Sequence, residues 1–145
     1  MKYFSRSPSQ TQKIAKVFAK EVLKTAPQKP AVLALTGELG AGKTTFVRGF
    51  MREAGVKNKI LSPTFVIFKS FDLRKGRGFQ KIYHIDTYRV QARDLVSLGF
   101  KSFLEGPNII IIEWAEKLER YLPQGTVWVS FKHGKRKNER YITFN

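Results

Sequence analysis

The sequence predicts an α/β fold with a mixed, largely parallel central sheet and β-hairpins. Two short, unbroken apolar runs, residues 31–36 and 108–112, have the length and composition of strands that are buried on both faces of a sheet. Segments of helical periodicity and runs of aromatic and β-branched residues surround them. Buried strands that alternate with helices are typical of an α/β architecture.

Helical segments are predicted at four places. Residues 9–23 carry apolar side chains at helical spacing with lysines between them, and residues 44–54 are helix formers followed by Gly55, a common helix stop. Residues 92–98 predict a short helix, and residues 117–121 predict one or two helical turns.

Two β-hairpins with basic loops are predicted. Residues 64–73 and 79–86 are aromatic and β-branched runs that flank a basic tip. Residues 126–132 and 140–144 form the second pair, and the loop between them, residues 133–139, is also basic.

Length and composition predict one domain, residues 1–145, since 145 residues with 42% hydrophobic content suffice for one packed core. The absence of cysteine excludes disulfides, zinc thiolate sites and thiol nucleophiles, and two histidines exclude a His-rich metal site. The first ten residues are polar and no run of 18 apolar residues occurs, so we expect a cytoplasmic protein.

The charge balance is strongly basic. Lys and Arg number 27 against 11 Asp and Glu, a formal net charge of +16. Such an excess favours encounter with an anion, and it leaves open whether that anion is RNA, a phosphate ligand, a membrane surface or an acidic protein.

A glycine-rich loop follows the first predicted buried strand and precedes the second predicted helix. Its sequence, Gly37-Glu38-Leu39-Gly40-Ala41-Gly42-Lys43-Thr44, fits the pattern G-x-x-x-x-G-K-[ST] in full. Glycines let the backbone wrap around phosphates, so that N–H groups and the helix N-terminus face the phosphate oxygens. Lys43 would reach the outer phosphates and Thr44 would offer its hydroxyl to Mg²⁺. The loop predicts a P-loop NTPase-like three-layer domain; a glycine-rich turn that caps a helix is the alternative.

A magnesium-bound triphosphate also needs carboxylates at strand ends that face the loop. Glu113 directly follows the buried run 108–112, which is the position of a Walker B carboxylate, and Asp86 is the second candidate at the end of residues 79–86. An ordinary salt bridge at a strand end is the alternative for each. Glu38, inside the loop, is expected to point away from the phosphates.

His84 lies two residues before Asp86, so in a strand both side chains point to the same face. It either touches the nucleotide site or is a partly buried histidine bonded to backbone carbonyls. The phenylalanines of the first hairpin either stack on RNA bases or join the core. They are Phe65, Phe68, Phe71 and Phe79.

These motifs resemble a known family, the bacterial TsaE proteins, which are small P-loop ATPases required for threonylcarbamoyladenosine formation on tRNA. The loop, continued through Thr45-Phe46 and Arg48-Gly49, is similar to the family's Walker A helix. Three further matches follow in order along the chain. They are Ser62-Pro63-Thr64-Phe65 with a switch-like segment, His84-Ile85-Asp86-Thr87-Tyr88-Arg89 with an H-x-D-x-Y-R signature, and Glu113-Trp114-Ala115-Glu116 with an E-W motif.

The resemblance implies roles for individual residues. Lys43 and Thr44 would bind phosphates and magnesium, Thr64 and Asp86 would act around the γ-phosphate and metal, and Glu113 would serve the metal or the attacking water. The implied catalytic residues are thus Lys43, Thr64, Asp86 and Glu113, and the implied metal ligands are Thr44, Asp86 and Glu113. The implied nucleotide-binding residues are Gly37, Glu38, Leu39, Gly40, Ala41, Gly42, Lys43, Thr44, Thr45, Trp114 beside the site, and Arg136 in the hairpin of residues 134–140, which the resemblance implies near the adenine.

The resemblance further implies ATP and Mg²⁺ as ligands and a role at the pair formed by TsaB and TsaD, where hydrolysis resets the complex and TsaD performs the transfer chemistry. The basic loops would allow direct contact with tRNA. No arginine finger is identified in cis, because Arg48 and Arg89 are interpreted as structural. We therefore expect slow turnover that partners stimulate.

Two other functions remain as alternatives. A small-molecule kinase also joins a P-loop to a short α/β domain, although no lid or acceptor motif lies between Asp86 and Glu113. A basic RNA-binding module with a regulatory nucleotide site is the second, and its affinity would depend strongly on salt. The absence of an N-K-x-D motif weakens a GTPase interpretation.

Overall fold

The computed structural model describes residues 1–25, 27–61, 67–73 and 78–145. The strands are β1 (Lys2–Ser5), β2 (Ala31–Gly37), β3 (Phe68–Asp72), β4 (Lys81–Asp86), β5 (Asn108–Glu113), β6 (Val127–His133) and β7 (Arg140–Phe144). The helices are α1 (Pro8–Lys24), α2 (Lys43–Glu53), α3 (Ala92–Ser97) and α4 (Phe100–Phe103), with a 3₁₀ helix at Ala115–Tyr121. None of the described helices is both long enough and apolar enough to cross a membrane.

The strands form one seven-stranded sheet in the order β1-β7-β6-β2-β5-β4-β3. The central strands β6, β2, β5 and β4 run parallel to one another. The outer pairings, β1 with β7, β7 with β6, and β3 with β4, are antiparallel. The predicted α/β fold with a mixed sheet is confirmed, and its parallel part is the centre that carries the two buried apolar strands.

Alternation along β5 explains the three layers. Ile109 and Ile111 belong to a core cluster with α1 and α2, whereas Ile110 and Ile112 belong to a second cluster with α3, α4 and the 3₁₀ helix. Every residue of β5 is buried. A strand covered by helices on both faces reads as a continuous apolar run, which is the pattern that predicted it.

Helix α1 begins one residue before its predicted start, after a Ser7 cap, and it packs closely on α2. The Ser7 side chain accepts a hydrogen bond from the backbone N–H of Gln10 at 3.2 Å. A Cβ atom at Gly49 of α2 would lie 2.5 Å from the carbonyl oxygen of Gln12. Glycine at this position therefore lets the two helices approach each other.

Strand β1 and helix α4 are not predicted by the sequence patterns. Strand β1 is four residues long and pairs with β7 at the other end of the chain. A buried hydrogen bond of 2.9 Å between the hydroxyls of Ser5 and Thr11 joins it to α1. Both contacts are tertiary, so local periodicity carries no signal of them.

The first predicted hairpin is confirmed where it is described, as β3 paired with β4. Residues 64–66 and 74–77 of that prediction lie outside the described residues. The core interpretation of the aromatic residues is confirmed for three of them, because they belong to or pack against the core clusters. These are Phe68, Phe71 and Phe79, while Phe65 lies outside the described residues.

Candidate functional site

The glycine-rich loop connects the end of β2 to the start of α2. Gly37, Gly40 and Gly42 have φ angles of 132°, 72° and 103°, which side chains rarely tolerate. At Gly37 space also excludes a side chain, because a Cβ there would lie 2.3 Å from the carbonyl oxygen of Phe131 on β6. The loop brings the N-terminus of α2, with its unpaired N–H groups, to the mouth of a cleft.

Lys43, the first residue of α2, is a buried lysine with 4% exposure. Its ammonium donates to the backbone carbonyls of Gly37 and Glu38, the latter at 2.9 Å, and lies 3.7 Å from the centroid of the Trp114 ring. Burial lowers the pKa of Lys43, and nearby carboxylates, Glu113 first among them, oppose that shift. Two loop carbonyls and an indole ring therefore stabilise the buried ammonium of Lys43.

Glu113 joins two other elements of the site through its two carboxylate oxygens. Oε2 accepts a hydrogen bond from Thr44 Oγ1 at 2.8 Å, and Oε1 lies 2.8 Å from His84 Nε2. The side chains of His84 and Glu113 are only 1% and 2% exposed. The interpretation of His84 as bonded to backbone carbonyls is wrong: the parallel register of β4 and β5 turns its ring toward the carboxylate of Glu113.

The cleft beside the loop has a volume of about 480 Å³. Asp86 lines it together with the loop, and its Oδ1 accepts a hydrogen bond from the backbone N–H of Tyr88 at 2.8 Å. The register pairs Asp86 with Glu113 on the neighbouring strand. Two carboxylates and the Thr44 hydroxyl thus face one space.

These oxygen atoms suit Mg²⁺, which is commonly held by one or two carboxylates together with nucleotide phosphates and water. In the part of the chain that the structure describes, no group of three or more His, Asp or Glu side chains could hold a metal by itself. The fit to Mg²⁺ therefore rests on Thr44, Asp86 and Glu113 acting with phosphate oxygens.

Hydrogen bonds fix the segments that follow each carboxylate. Trp114 has a φ angle of 61°, in the left-handed region that non-glycine residues rarely adopt. The Thr87 hydroxyl bonds to the carbonyls of Glu113 and Trp114, and the Lys117 ammonium donates to the carbonyls of Thr87 and Tyr88 at 2.9 and 2.8 Å. These contacts hold the indole of Trp114 over the buried lysine.

Two residues of the C-terminal hairpin contact the loop: Arg140 ends the segment 134–140 that the resemblance implies near the adenine, whereas His133 is not assigned to the site. His133 Nε2 lies 3.2 Å from the carbonyl oxygen of Leu39, and Arg140 Nη2 donates to the carbonyl of Gly40 at 2.8 Å. The parallel pairing of β6 with β2 brings them there. No local pattern could have found them, because this pairing joins strands that are far apart in sequence.

Other sequence-predicted residues lie as follows. Thr64 falls outside the described residues, and the Glu38 side chain is exposed, as expected. The Arg136 side chain is 89% exposed and is absent from the described lining of the cleft; its Nε lies 3.9 Å from Glu139 Oε1. Arg89 lines the cleft.

Most of the remaining sequence-predicted site residues line the cleft. They are Leu39, Gly40, Ala41, Gly42, Lys43, Thr44, Thr45, Asp86, Glu113 and Trp114. A parallel strand that leads through a glycine loop into a helix, with a carboxylate from the adjacent strand beside it, defines a P-loop NTPase-like α/β protein.

Comparison with known proteins makes this class specific. The family model for the threonylcarbamoyl adenosine biosynthesis protein TsaE matches residues 5–142. The chain therefore belongs to the TsaE family, which confirms the resemblance seen in its motifs.

Individual relatives agree with this assignment. The tRNA threonylcarbamoyladenosine biosynthesis protein TsaE of Bacillus subtilis is 37% identical over 145 residues, covering 99% of this chain and 84% of the relative. The protein of the same description from Haemophilus influenzae is 31% identical over 122 residues, covering 83% and 75%. The crystal structure of Bacillus subtilis YdiB superposes with a TM-score of 0.75 at 32% identity, covering 99% of this chain and 83% of that one.

Proposed function

We propose that this chain binds ATP with Mg²⁺ and hydrolyses it slowly, and that this activity is its contribution to threonylcarbamoyladenosine biosynthesis on tRNA. The observation that carries the proposal is the contact of 2.8 Å between Thr44 Oγ1 and Glu113 Oε2 at the mouth of the glycine loop. A hydroxyl at the start of the helix and a carboxylate at the end of the adjacent strand are the two protein groups that P-loop enzymes use to hold magnesium.

The loop and its lysine would bind the phosphates. Residues 39–45 of the loop line the cleft, and the positive end of α2 at this point favours negative charge. Lys43 already lies among carbonyls and an indole ring, so phosphate oxygens would replace acceptors that it now uses. The ammonium would then stabilise charge on the transferred phosphoryl group.

Asp86 and Glu113 would share the metal and water chemistry. Magnesium, when bound, neutralises phosphate charge and aligns the terminal phosphoryl group. Glu113 would release the Thr44 hydroxyl to the metal while His84 keeps its other oxygen oriented. We also keep Thr64 as a candidate near the γ-phosphate.

Residues near Arg136 are better placed than Arg136 itself to contact an adenine beside the loop, because they line a cavity there. A small cavity of about 50 Å³ adjoins the loop between α1 and the C-terminal hairpin. Asn138, Arg140 and Thr11 line it. We propose that the adenine lies toward this side, with Arg136 at its exposed rim.

The partners proposed for this activity are TsaB and TsaD. The family acts in threonylcarbamoyl adenosine biosynthesis by its description, and Arg89 is the one arginine among the described lining residues of the cleft. A P-loop enzyme that lacks an arginine finger loses about 10³ to 10⁵ in rate. Slow turnover alone and faster turnover with partners is therefore the expected behaviour, and the basic surface leaves room for tRNA contact.

The test is ATP turnover by the purified protein, alone and with TsaB and TsaD from the same organism. Lys43→Ala and Glu113→Gln should abolish stimulation, whereas the exposed-site controls Lys20→Ala and Glu119→Gln should keep it. Fast turnover without partners would contradict the proposal. Turnover that ignores the partners and requires a small-molecule acceptor would favour the kinase alternative instead.

A further inference from the structure

A second concave site lies away from the nucleotide cleft, beside the C-terminal half of α2 and the segment that follows it. Its volume is about 710 Å³. Four cationic side chains line it, and no acidic side chain is among its described lining residues. We call it the basic cavity, and its cations are Arg48, Arg52, Lys57 and Lys59.

The two arginines of the basic cavity are held in place by neutral partners. Arg48 Nε donates to the carbonyl of Ile60 at 2.9 Å, and Arg52 Nη1 donates to Gln12 Oε1 at 3.0 Å. Each guanidinium has five N–H donors in a fixed plane, so most of them stay available after one is used. These contacts orient the planes without neutralising their charge.

None of the four cations takes part in an ion pair between described residues. The ion pairs between described residues involve other cations, namely Lys24, Lys81, His84 and Arg136. Like charges that converge on one concavity repel one another, and the net charge of +16 adds to that repulsion. An anion in the cavity would relieve it, which is the usual reason for such a cluster at a binding site.

The chemistry of the lining favours nucleic acid over a protein partner. Its apolar residues, Val56 and Ile60, are 8% and 6% exposed and so offer no anchor at the surface. Protein interfaces depend on apolar and aromatic anchors at their centre. A sugar–phosphate backbone needs only cations and N–H donors, and oriented arginines bind phosphate in a bidentate way.

We propose that the basic cavity binds the phosphate backbone of RNA. None of the described lining residues of the basic cavity belongs to the C-terminal hairpin, and the inference does not depend on ATP hydrolysis. Arg52 follows Lys43 by nine residues, which is roughly 13 Å along the helix axis at about 1.5 Å per residue. The basic cavity and the nucleotide cleft share no described lining residue and are distinct sites.

The experiment measures binding of fluorescently labelled tRNA by anisotropy over a salt series. The test variant is Arg52→Gln/Lys57→Gln/Lys59→Gln, which spares Arg48 because that side chain supports the Ile60 carbonyl. The matched control is Arg93→Gln/Lys101→Gln/Arg120→Gln, which removes the same charge from exposed positions on the helices that cover the opposite face of the sheet. Circular dichroism and binding of a fluorescent ATP analogue check that both variants fold.

The test variant should weaken tRNA binding about 10- to 100-fold at low salt and reduce the slope of log affinity against log salt by about 2 to 3. The control should change affinity less than about threefold. Equal losses in both variants would overturn the proposal, because net charge alone would then explain the binding. Absence of tRNA binding by the wild type at low salt, or a loss of TsaB–TsaD binding instead, would also overturn it.

Failure of this inference can be told apart from failure of the proposed ATPase. Lys43→Ala should keep wild-type tRNA affinity while losing turnover. The cavity variant should keep intrinsic turnover while losing tRNA affinity.

Discussion

Cationic side chains lie at both ends of α2, but the one at its N-terminus is buried and those at and after its C-terminus are exposed to solvent. At the N-terminal end Lys43 is 4% exposed, bonded to two carbonyls and covered by an indole. At the C-terminal end Arg52, Lys57 and Lys59 are exposed and face a cavity without a described carboxylate. A buried, bonded cation acts on one group at short range, whereas converging exposed cations attract a large anion. The two proposals follow this contrast, with phosphate chemistry at the buried cation and RNA binding at the exposed ones.

Removal of the buried cation is expected to have the largest effect on activity. Lys43→Ala should lower partner-stimulated ATP turnover by about 10² to 10³-fold, because one donor to the developing phosphoryl charge is lost. Steady-state phosphate release is the measurement. Lys57→Ala in the basic cavity should leave turnover unchanged, and a similar loss in both variants would remove the distinction between the buried and the exposed cations.

The orientation of Glu113 is expected to matter less than Lys43 but still measurably. His84→Ala removes the contact of 2.8 Å to Glu113 Oε1, and loss of such an outer support typically costs about 10- to 100-fold in activity or metal affinity. His84→Gln keeps an amide that can donate to the carboxylate, so it should recover part of the activity. We would measure kcat and the Mg²⁺ dependence of turnover. Equal activity of the alanine and glutamine variants would show that His84 only fills space.

Gly49 lies in the middle of α2, where the helix packs on α1. A substitution there tests whether a shift of α2 affects the nucleotide cleft and the basic cavity together. A Cβ at Gly49 would meet the Gln12 carbonyl oxygen at 2.5 Å, so Gly49→Ala should lower the free energy of unfolding by about 1 to 3 kcal/mol. Urea denaturation measures it, with Lys20→Ala expected to stay within about 0.5 kcal/mol of wild type. A displaced α2 should weaken nucleotide and tRNA binding together. Stability equal to that of wild type would disprove the close packing of α1 on α2.

The smallest expected effect is a pH dependence of the free energy of unfolding that comes from Lys43. Because burial lowers the pKa of Lys43 from 10.5, the unfolded chain binds more protons than the folded protein between the lowered pKa and that value. The free energy of unfolding should therefore gain a rising contribution as pH increases through this window. Lys43→Met should lack that contribution in magnesium-free urea titrations from about pH 8 to about pH 10, whereas Lys20→Met should retain it. Identical profiles for wild type and Lys43→Met would contradict the burial of a charged lysine.

The sequence predicts the parts of this molecule that depend on local pattern. The loop is recognisable because glycines, Lys43 and Thr44 stand at fixed spacing, and Glu113 because an apolar run leads directly to it. Strand β1 and the contacts of His133 and Arg140 with the loop depend on pairings between distant strands, which periodicity does not encode. The partner of His84 is missed for the same reason, since only the register of β4 with β5 places Glu113 beside it.

The edge formed by β1 and β7 also constrains the order of folding. The amino group of Met1 donates to the carbonyl of Phe144 at 2.8 Å, across a sequence separation of 143 residues. During synthesis, residues 2–5 have no strand to pair with until residues 140–144 have left the ribosome. The parallel centre of the sheet can assemble earlier. Docking of β1 is therefore a late step, and it is slow because it joins two strands at opposite ends of the chain.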